Sequence, residues 1–135
     1  MIVPNALKKW FVLHFVIDII VALPLMLMPV TVLEVLGWEN IDPIATRLFA
    51  AALFAIGIKS YIGRNLNIAV YDAMLNLKII WSTFAIVGLV SSTMQGIEQD
   101  NPFVWLGILV FLLFNILWIY WKLRLQKLNN KRSIP

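Results

Sequence analysis

Cysteine is absent from the 135 residues, which excludes disulfides, thiol nucleophiles and thiolate metal sites. Histidine occurs once, so a bis-histidine haem site cannot form, and no His/Glu spacing marks a metal. No serine stands in a nucleophile setting, and no cofactor is implied by any motif. Charge is scarce: 13% of the residues are Asp, Glu, Lys or Arg, while 61% are hydrophobic. A soluble domain this small keeps too much of its area exposed to hide so much apolar side chain. No internal repeat is visible, which removes the case for an inverted-repeat transporter within one chain.

What the chain has instead is long apolar runs. Residues 19–28, 79–90 and 103–120 carry no charge at all, and a membrane span needs ~20 mostly apolar residues. The expected fold is all-α: a four-helix transmembrane bundle forming a single membrane domain. Its spans are expected at about 9–28, 43–62, 69–94 and 102–127, with a short interfacial helix over 30–38 after the first span. Pro24 lies inside the first span and Pro29 ends it. Gly37 is placed to end the interfacial segment. Asp42 and Pro43 form a helix start, as N-cap and first helical residue. The second span is rich in Ala50, Ala51, Ala52, Ala55 and Gly57, residues that let helices approach closely in lipid; it is the helix expected at the packing centre. Asp100 or Asn101 before Pro102 opens the last helix, and Trp118, Tyr120 and Trp121 near its end read as an aromatic belt.

The net charge of +4 points to topology, not to nucleic acid. Lys8 and Lys9 precede the first span, Lys59 and Arg64 flank the second turn, and Lys122, Arg124, Lys127, Lys131 and Arg132 follow the last span. The other two loops hold Glu34, Glu39, Asp42, Glu98 and Asp100, with Arg47 nearby. This segregation places both termini in the cytoplasm by the positive-inside rule. Lys8 and Lys9 ahead of an apolar stretch have the outline of a signal peptide, but His14 and Asp18 interrupt the stretch and no small-x-small cleavage site follows. It reads as an uncleaved first helix.

Ionisable groups at membrane depth are costly, ~2.5–3.5 kcal/mol on insertion scales, and are the functional candidates. Asp18, His14, Asn76, Asn115 and Lys78 all fall in the cytoplasmic half at ~1.5 Å of rise per residue. His14 and Asp18 are four apart, share a helix face and can hydrogen-bond. Asn76 shares a face with Asp72 and Thr83, whereas Lys78 points away from it. Each has a plainer reading beside the functional one. Asp18 serves as well as a structural ion pair to a neighbouring helix, His14 as a structural donor, and Asn76 and Asn115 as interhelical hydrogen-bonding glue. Lys78 can snorkel to the headgroups; the sharper reading pairs it with Asp18. Arg47 fits an outer-interface anchor or a partner for Glu34 or Glu39.

The stretch from Leu25 to Gly37 (LMLMPVTVLEVLG), followed by Ala45 to Gly57 (ATRLFAAALFAIG), resembles the small DoxX-like four-helix membrane proteins of bacteria and archaea. The shared marks are Pro29, Leu36-Gly37, and Arg47 opening an alanine- and glycine-rich helix. The resemblance covers the first half of the chain and implies the four-helix fold and a prokaryotic inner membrane, with no catalytic residues to carry over. The function expected is a non-enzymatic bundle that packs with itself or a membrane partner and binds a lipid-like molecule, with Asp18 at its polar end and His14, Asn76, Asn115 and Lys78 nearby. The alternative is a small dimeric transporter or proton-coupled carrier using Asp18. A lipid-modifying enzyme built on His14 and Asp18 lacks a nucleophile or metal and ranks behind both. Membrane lipids are the expected partners, and nucleic acid is not.

Overall fold

The computed structural model describes residues 3–130 and is helical throughout. Residues 131–135, with Lys131 and Arg132, lie outside the described residues. The helices are α1 (Asn5–Leu27), α2 (Pro29–Val35), α3 (Pro43–Gly63), α4 (Ile68–Met94) and α5 (Pro102–Asn130). Four of them, α1, α3, α4 and α5, are long and apolar enough to cross a membrane.

Local sequence accounts for most of the boundaries. Asp42 Oδ1 accepts from the backbone N–H of Ile44 (2.8 Å) and Ala45 (3.1 Å), capping α3 with Pro43 at its first position. Asn67 caps α4 by accepting from Val70 N at 3.1 Å. At the start of α5 it is Asn101, not Asp100, that accepts from Phe103 N, at 2.9 Å. Gly37 and Gly96 both take positive φ, 75° and 79°. They end α2 and α4 the same way: Trp38 N reaches Leu33 O and Gly37 N reaches Glu34 O, as Ile97 N reaches Ser92 O and Gly96 N reaches Thr93 O. This is the left-handed cap that glycine adopts without a Cβ penalty.

Three expectations shift. α1 begins at Asn5, a turn before Lys9, because Val3, Leu7 and Phe11 at i, i+4 spacing are all buried and continue the inward face. α2 stops at Val35, not residue 38, where the Gly37 cap intervenes. α5 runs a turn longer than expected, to Asn130, with Leu125 still buried against α1 and α4.

The long helices pack as two pairs, α1 on α3 and α4 on α5. α3 meets α1, α2 and α4, and α1 reaches α4 and α5 through its buried side chains. At the end bearing the chain termini, Leu7 and Phe11 of α1 meet Tyr71, Met74 and Leu75 of α4 and Trp118, Trp121 and Leu125 of α5. Phe11 lies 4.6 Å from the Tyr71 ring and 5.8 Å, edge-on, from Trp118, both within the range of favourable aromatic pairs. Trp118 and Trp121 are thus core residues, and of the expected belt only Tyr120 is exposed. At the opposite end Ala22 and Leu25 pack on Ala50 and Leu53, and Phe49 stacks on Trp81 of α4 at 6.0 Å. Small residues on α3 permit this approach, although Ala51 and Ala55 face outward.

Candidate functional site: a buried Lys–His–Asp cluster

The inward face of α1 carries Leu7, Phe11, His14, Asp18, Ala22 and Leu25, a stripe at helical spacing in which the fourth-residue rule brings His14 and Asp18 together. His14 Nδ1 is 2.7 Å from Asp18 Oδ2. On α4 the buried face is Tyr71, Met74, Leu75, Lys78 and Ser82, so Lys78 is carried inward by the same periodicity that buries Leu75. Its Nζ lies 3.0 Å from the same His14 Nδ1. Lys78 is 2% exposed and Asp18 4%. The ammonium group does not snorkel: its four-carbon stem ends in a box made by His14 and two aromatic faces. Its Nζ is 5.2 Å from the Phe11 ring centre and 4.9 Å from that of Trp118, within cation–π reach. The imidazole itself stands edge-on to Phe114 (4.9 Å) and Trp118 (5.1 Å).

One ring nitrogen is thus shared between a donor and an acceptor. An imidazole nitrogen either carries a proton and donates, or carries a lone pair and accepts. When Nδ1 accepts from Lys78 it has nothing to give Asp18. Accordingly, Asp18 Oδ2, though close, is buried with no aligned hydrogen-bond donor. When Nδ1 holds the proton, the Asp18 contact becomes a hydrogen bond and Lys78 loses its acceptor. A proton can therefore be exchanged among the three groups across contacts of 3.0 Å or less, with no helix needing to move.

The far side of Asp18 is closed by α3. A Cβ built on Gly57 would stand 2.8 Å from Asp18 Cβ and 3.0 Å from its Oδ2. Glycine here lets α3 come up against the carboxylate, so the polar centre is packed from three helices. In the sequence Gly57 reads as a helix-packing residue, with nothing to pair it with Asp18. The signal was available only as a small residue of unassigned face.

The remaining candidates divide. Asn115 of α5 is close by and donates to Ser82 Oγ (2.8 Å), Thr83 Oγ1 (2.9 Å) and Ile79 O (3.2 Å), tying α5 to α4. Ser82 in turn donates to Lys78 O at 2.7 Å. Asn76 is not brought to the cluster: two positions before Lys78, it is exposed on the outer side of α4, where a helix places a residue ~200° away. Arg47 pairs with neither Glu34 nor Glu39 in the ion pairs found; its Nε donates to Met26 O at 3.2 Å, satisfying a carbonyl of the last turn of α1.

Two surface cavities lie elsewhere. One of about 380 Å³ sits between the α2–α3 and α4–α5 loops, lined by Gly37, Glu39, Glu98 and Asn101 among others. The two loops are joined there by Glu98, whose Oε1 accepts from Glu39 N (2.8 Å) and Asn40 N (2.9 Å). Partial desolvation alone would raise the Glu98 carboxyl, but these backbone donors and the Asn101 amide outweigh it and hold it below the ordinary glutamate range. The other cavity, of about 420 Å³, opens beside Lys8, Lys9 and Arg64 at the terminus-bearing end. Among the described residues no three His, Asp or Glu side chains are placed to hold a metal ion.

Compared with protein-family models, with curated proteins and with solved structures, the chain finds no match.

Proposed function

We propose that the chain is a non-enzymatic bundle of the prokaryotic inner membrane. In this reading both termini are cytoplasmic, α2 lies along the outer interface, and the protein packs with itself or a membrane partner and takes a lipid-like molecule. The observation that carries the reading is how the membrane-depth charges are used. Lys78, His14 and Asp18 are spent on one another, where they join the two helix pairs, and not on a substrate cavity. The outward faces are left broadly apolar, with Ile20 65%, Leu48 67% and Phe84 70% exposed, and need lipid or another chain against them. The loop charges and the resemblance to DoxX-like proteins agree with the orientation and the membrane proposed.

Native mass spectrometry of protein released from nanodiscs tests this reading directly. The expected result is more than one copy per particle, a second membrane protein, or a co-purified lipid-like molecule. A lone chain that carries nothing would overturn it.

A second reading rests on the shared Nδ1. Three titratable groups in contact at membrane depth are also what a proton-coupled carrier needs, and a dimer would supply the second half of the pathway. Its mark is transport into liposomes that depends on pH and disappears in Asp18→Asn. Liposomes whose flux is the same with wild-type and variant protein would sink it.

A further inference from the structure

The outward side of α1 has its own pattern. Lys9, Val12, Leu13 and Val16 recur at i, i+3, i+4 and i+7, so they form one stripe, with Lys8 at its edge. This stripe lies opposite the buried face that carries Phe11, His14 and Asp18. The turn between α3 and α4 brings Arg64 against the stripe, and together they border the open surface groove of about 420 Å³. Its floor is apolar: Leu13 and Val16 are 44% and 42% exposed. Its rim is cationic. The only ion pairs among the described residues are His14–Asp18 and Lys122–Asp72, so no carboxylate among the described residues pairs with Lys8, Lys9 or Arg64. Arg64 is also held in place: its guanidinium carbon stacks 3.5 Å from the Tyr61 ring centre and one amino group donates to Tyr61 O. The remaining donors of its planar fork are free for an oxyanion.

We propose that this groove is a binding site for one anionic glycerophospholipid of the leaflet facing the chain termini. Lys8, Lys9 and Arg64 take the phosphodiester, and an acyl chain lies along Val12, Leu13 and Val16. The site names the lipid-like molecule and where it binds. It rests on the reading of these helices as membrane spans, and is independent of any role for Asp18, which faces the other way. Three cations in contact with one headgroup, above a apolar trough of acyl-chain character, match an amphiphile with a single negative head. They do not match a zwitterion whose own cation would meet the same rim.

The test uses the full chain in nanodiscs of phosphatidylcholine containing a minority of phosphatidylglycerol, with retained lipid counted by native mass spectrometry. Wild type is expected to keep phosphatidylglycerol in preference to phosphatidylcholine. Each cation removed should weaken retention about fivefold, so Lys8→Gln/Lys9→Gln/Arg64→Gln loses on the order of a hundredfold. Val16→Trp, which fills the trough from an outward position and leaves the charges, should lose the lipid as well. Arg124→Gln/Lys127→Gln removes as much charge as Lys8→Gln/Lys9→Gln, at the same end but outside the groove, and should leave retention unchanged. Equal retention of the two lipids by wild type overturns the site, as does undiminished binding in Val16→Trp. The same loss from both charge pairs also overturns it, by reducing the effect to bulk electrostatics. None of these outcomes bears on copy number, so the assembly reading stands or falls separately.

Discussion

Substitution of Gly57 by alanine puts one carbon where the structure has no room for it. The new Cβ would lie 2.8 Å from Asp18 Cβ, 3.0 Å from Oδ2 and 3.4 Å from Cγ, where ordinary carbon contacts lie at ~3.5–4.0 Å. Asp18 Cβ is fixed to the α1 backbone and cannot swing aside, so α1 must withdraw from α3 by ~1 Å. Overpacking of this kind costs ~1–3 kcal/mol. Alanine also gains ~1 kcal/mol over glycine in helix propensity, which would mask part of the loss. Two other glycines separate the terms. A Cβ on Gly88 meets nothing within 4 Å, so Gly88→Ala reports the propensity gain alone. At Gly63 the close atoms are Met74 Sδ at 2.6 Å and Cε at 2.9 Å, the end of a flexible side chain that can turn away. Gly63→Ala should therefore fall between the two. Reversible unfolding in mixed micelles by titrated dodecyl sulfate gives the ranking, with Gly57→Ala expected ~1–3 kcal/mol below Gly88→Ala. The single histidine supplies a second reading, since its ring ¹⁵N resonances report the site without overlap. They should move in Gly57→Ala and stay in Gly88→Ala. Equal stability of those two variants, with an unmoved imidazole, would refute the packing of Asp18 against α3.

Removing either charge of the cluster should cost ~3–5 kcal/mol in the same unfolding assay, because the survivor is buried alone. The double variant Lys78→Met/Asp18→Asn should be less destabilised than the sum of the two singles by more than ~1 kcal/mol, and strict additivity would show that the charges do not sense each other. Glu98 is a carboxylate held low in the native state. Its stabilising contact is complete above the ordinary glutamate value of 4.5 and is lost as pH falls below that, through the lowered native value. The amide ¹H–¹⁵N signals of Glu39 and Asn40 should titrate in that acid range and be flat in Glu98→Gln. Flat signals in wild type would exclude the loop contact.

The apolar periods made the helices legible and the caps made their starts legible, because both are local. Asp42-Pro43, Gly37 and the four-residue step from His14 to Asp18 needed no partner to be read. What could not be read was which outward or inward face each helix turns to the others. Lys78 illustrates the gap. A lysine nearly three turns into an apolar helix is equally compatible with snorkelling and with burial. Only the placement of Phe11 and Trp118 on two other helices decides between them, and those residues are separated from Lys78 by 67 and 40 positions. Trp118 and Trp121 carry the same ambiguity, since an aromatic near a helix end serves a belt or a core alike. Depth alone groups Asn76 with Asp18, and depth carries no azimuth. The α4 stripe of Tyr71, Leu75, Lys78 and Ser82 did hold the information, for it assigns Lys78 and Asn76 to different sides.

The composition of the cluster limits what it can do. With Lys78 charged, the imidazole neutral and Asp18 ionised, the cluster sums to no net charge, an arrangement that needs no counterion from outside among Phe11, Phe114 and Trp118. A proton passed from Lys78 through His14 to Asp18 turns an ion pair into a neutral set. The total is unchanged, so the packing that buries one arrangement also tolerates the other. Net uptake of a proton from solution is different. It would leave the cluster with a net positive charge at membrane depth. A carrier must change the net charge of the cluster, by proton uptake or release, on every cycle, whereas a joint between helix pairs need not. Packing as tight as that of Asp18 on Gly57 is the arrangement a joint requires, and it is the physical ground for ranking assembly ahead of transport.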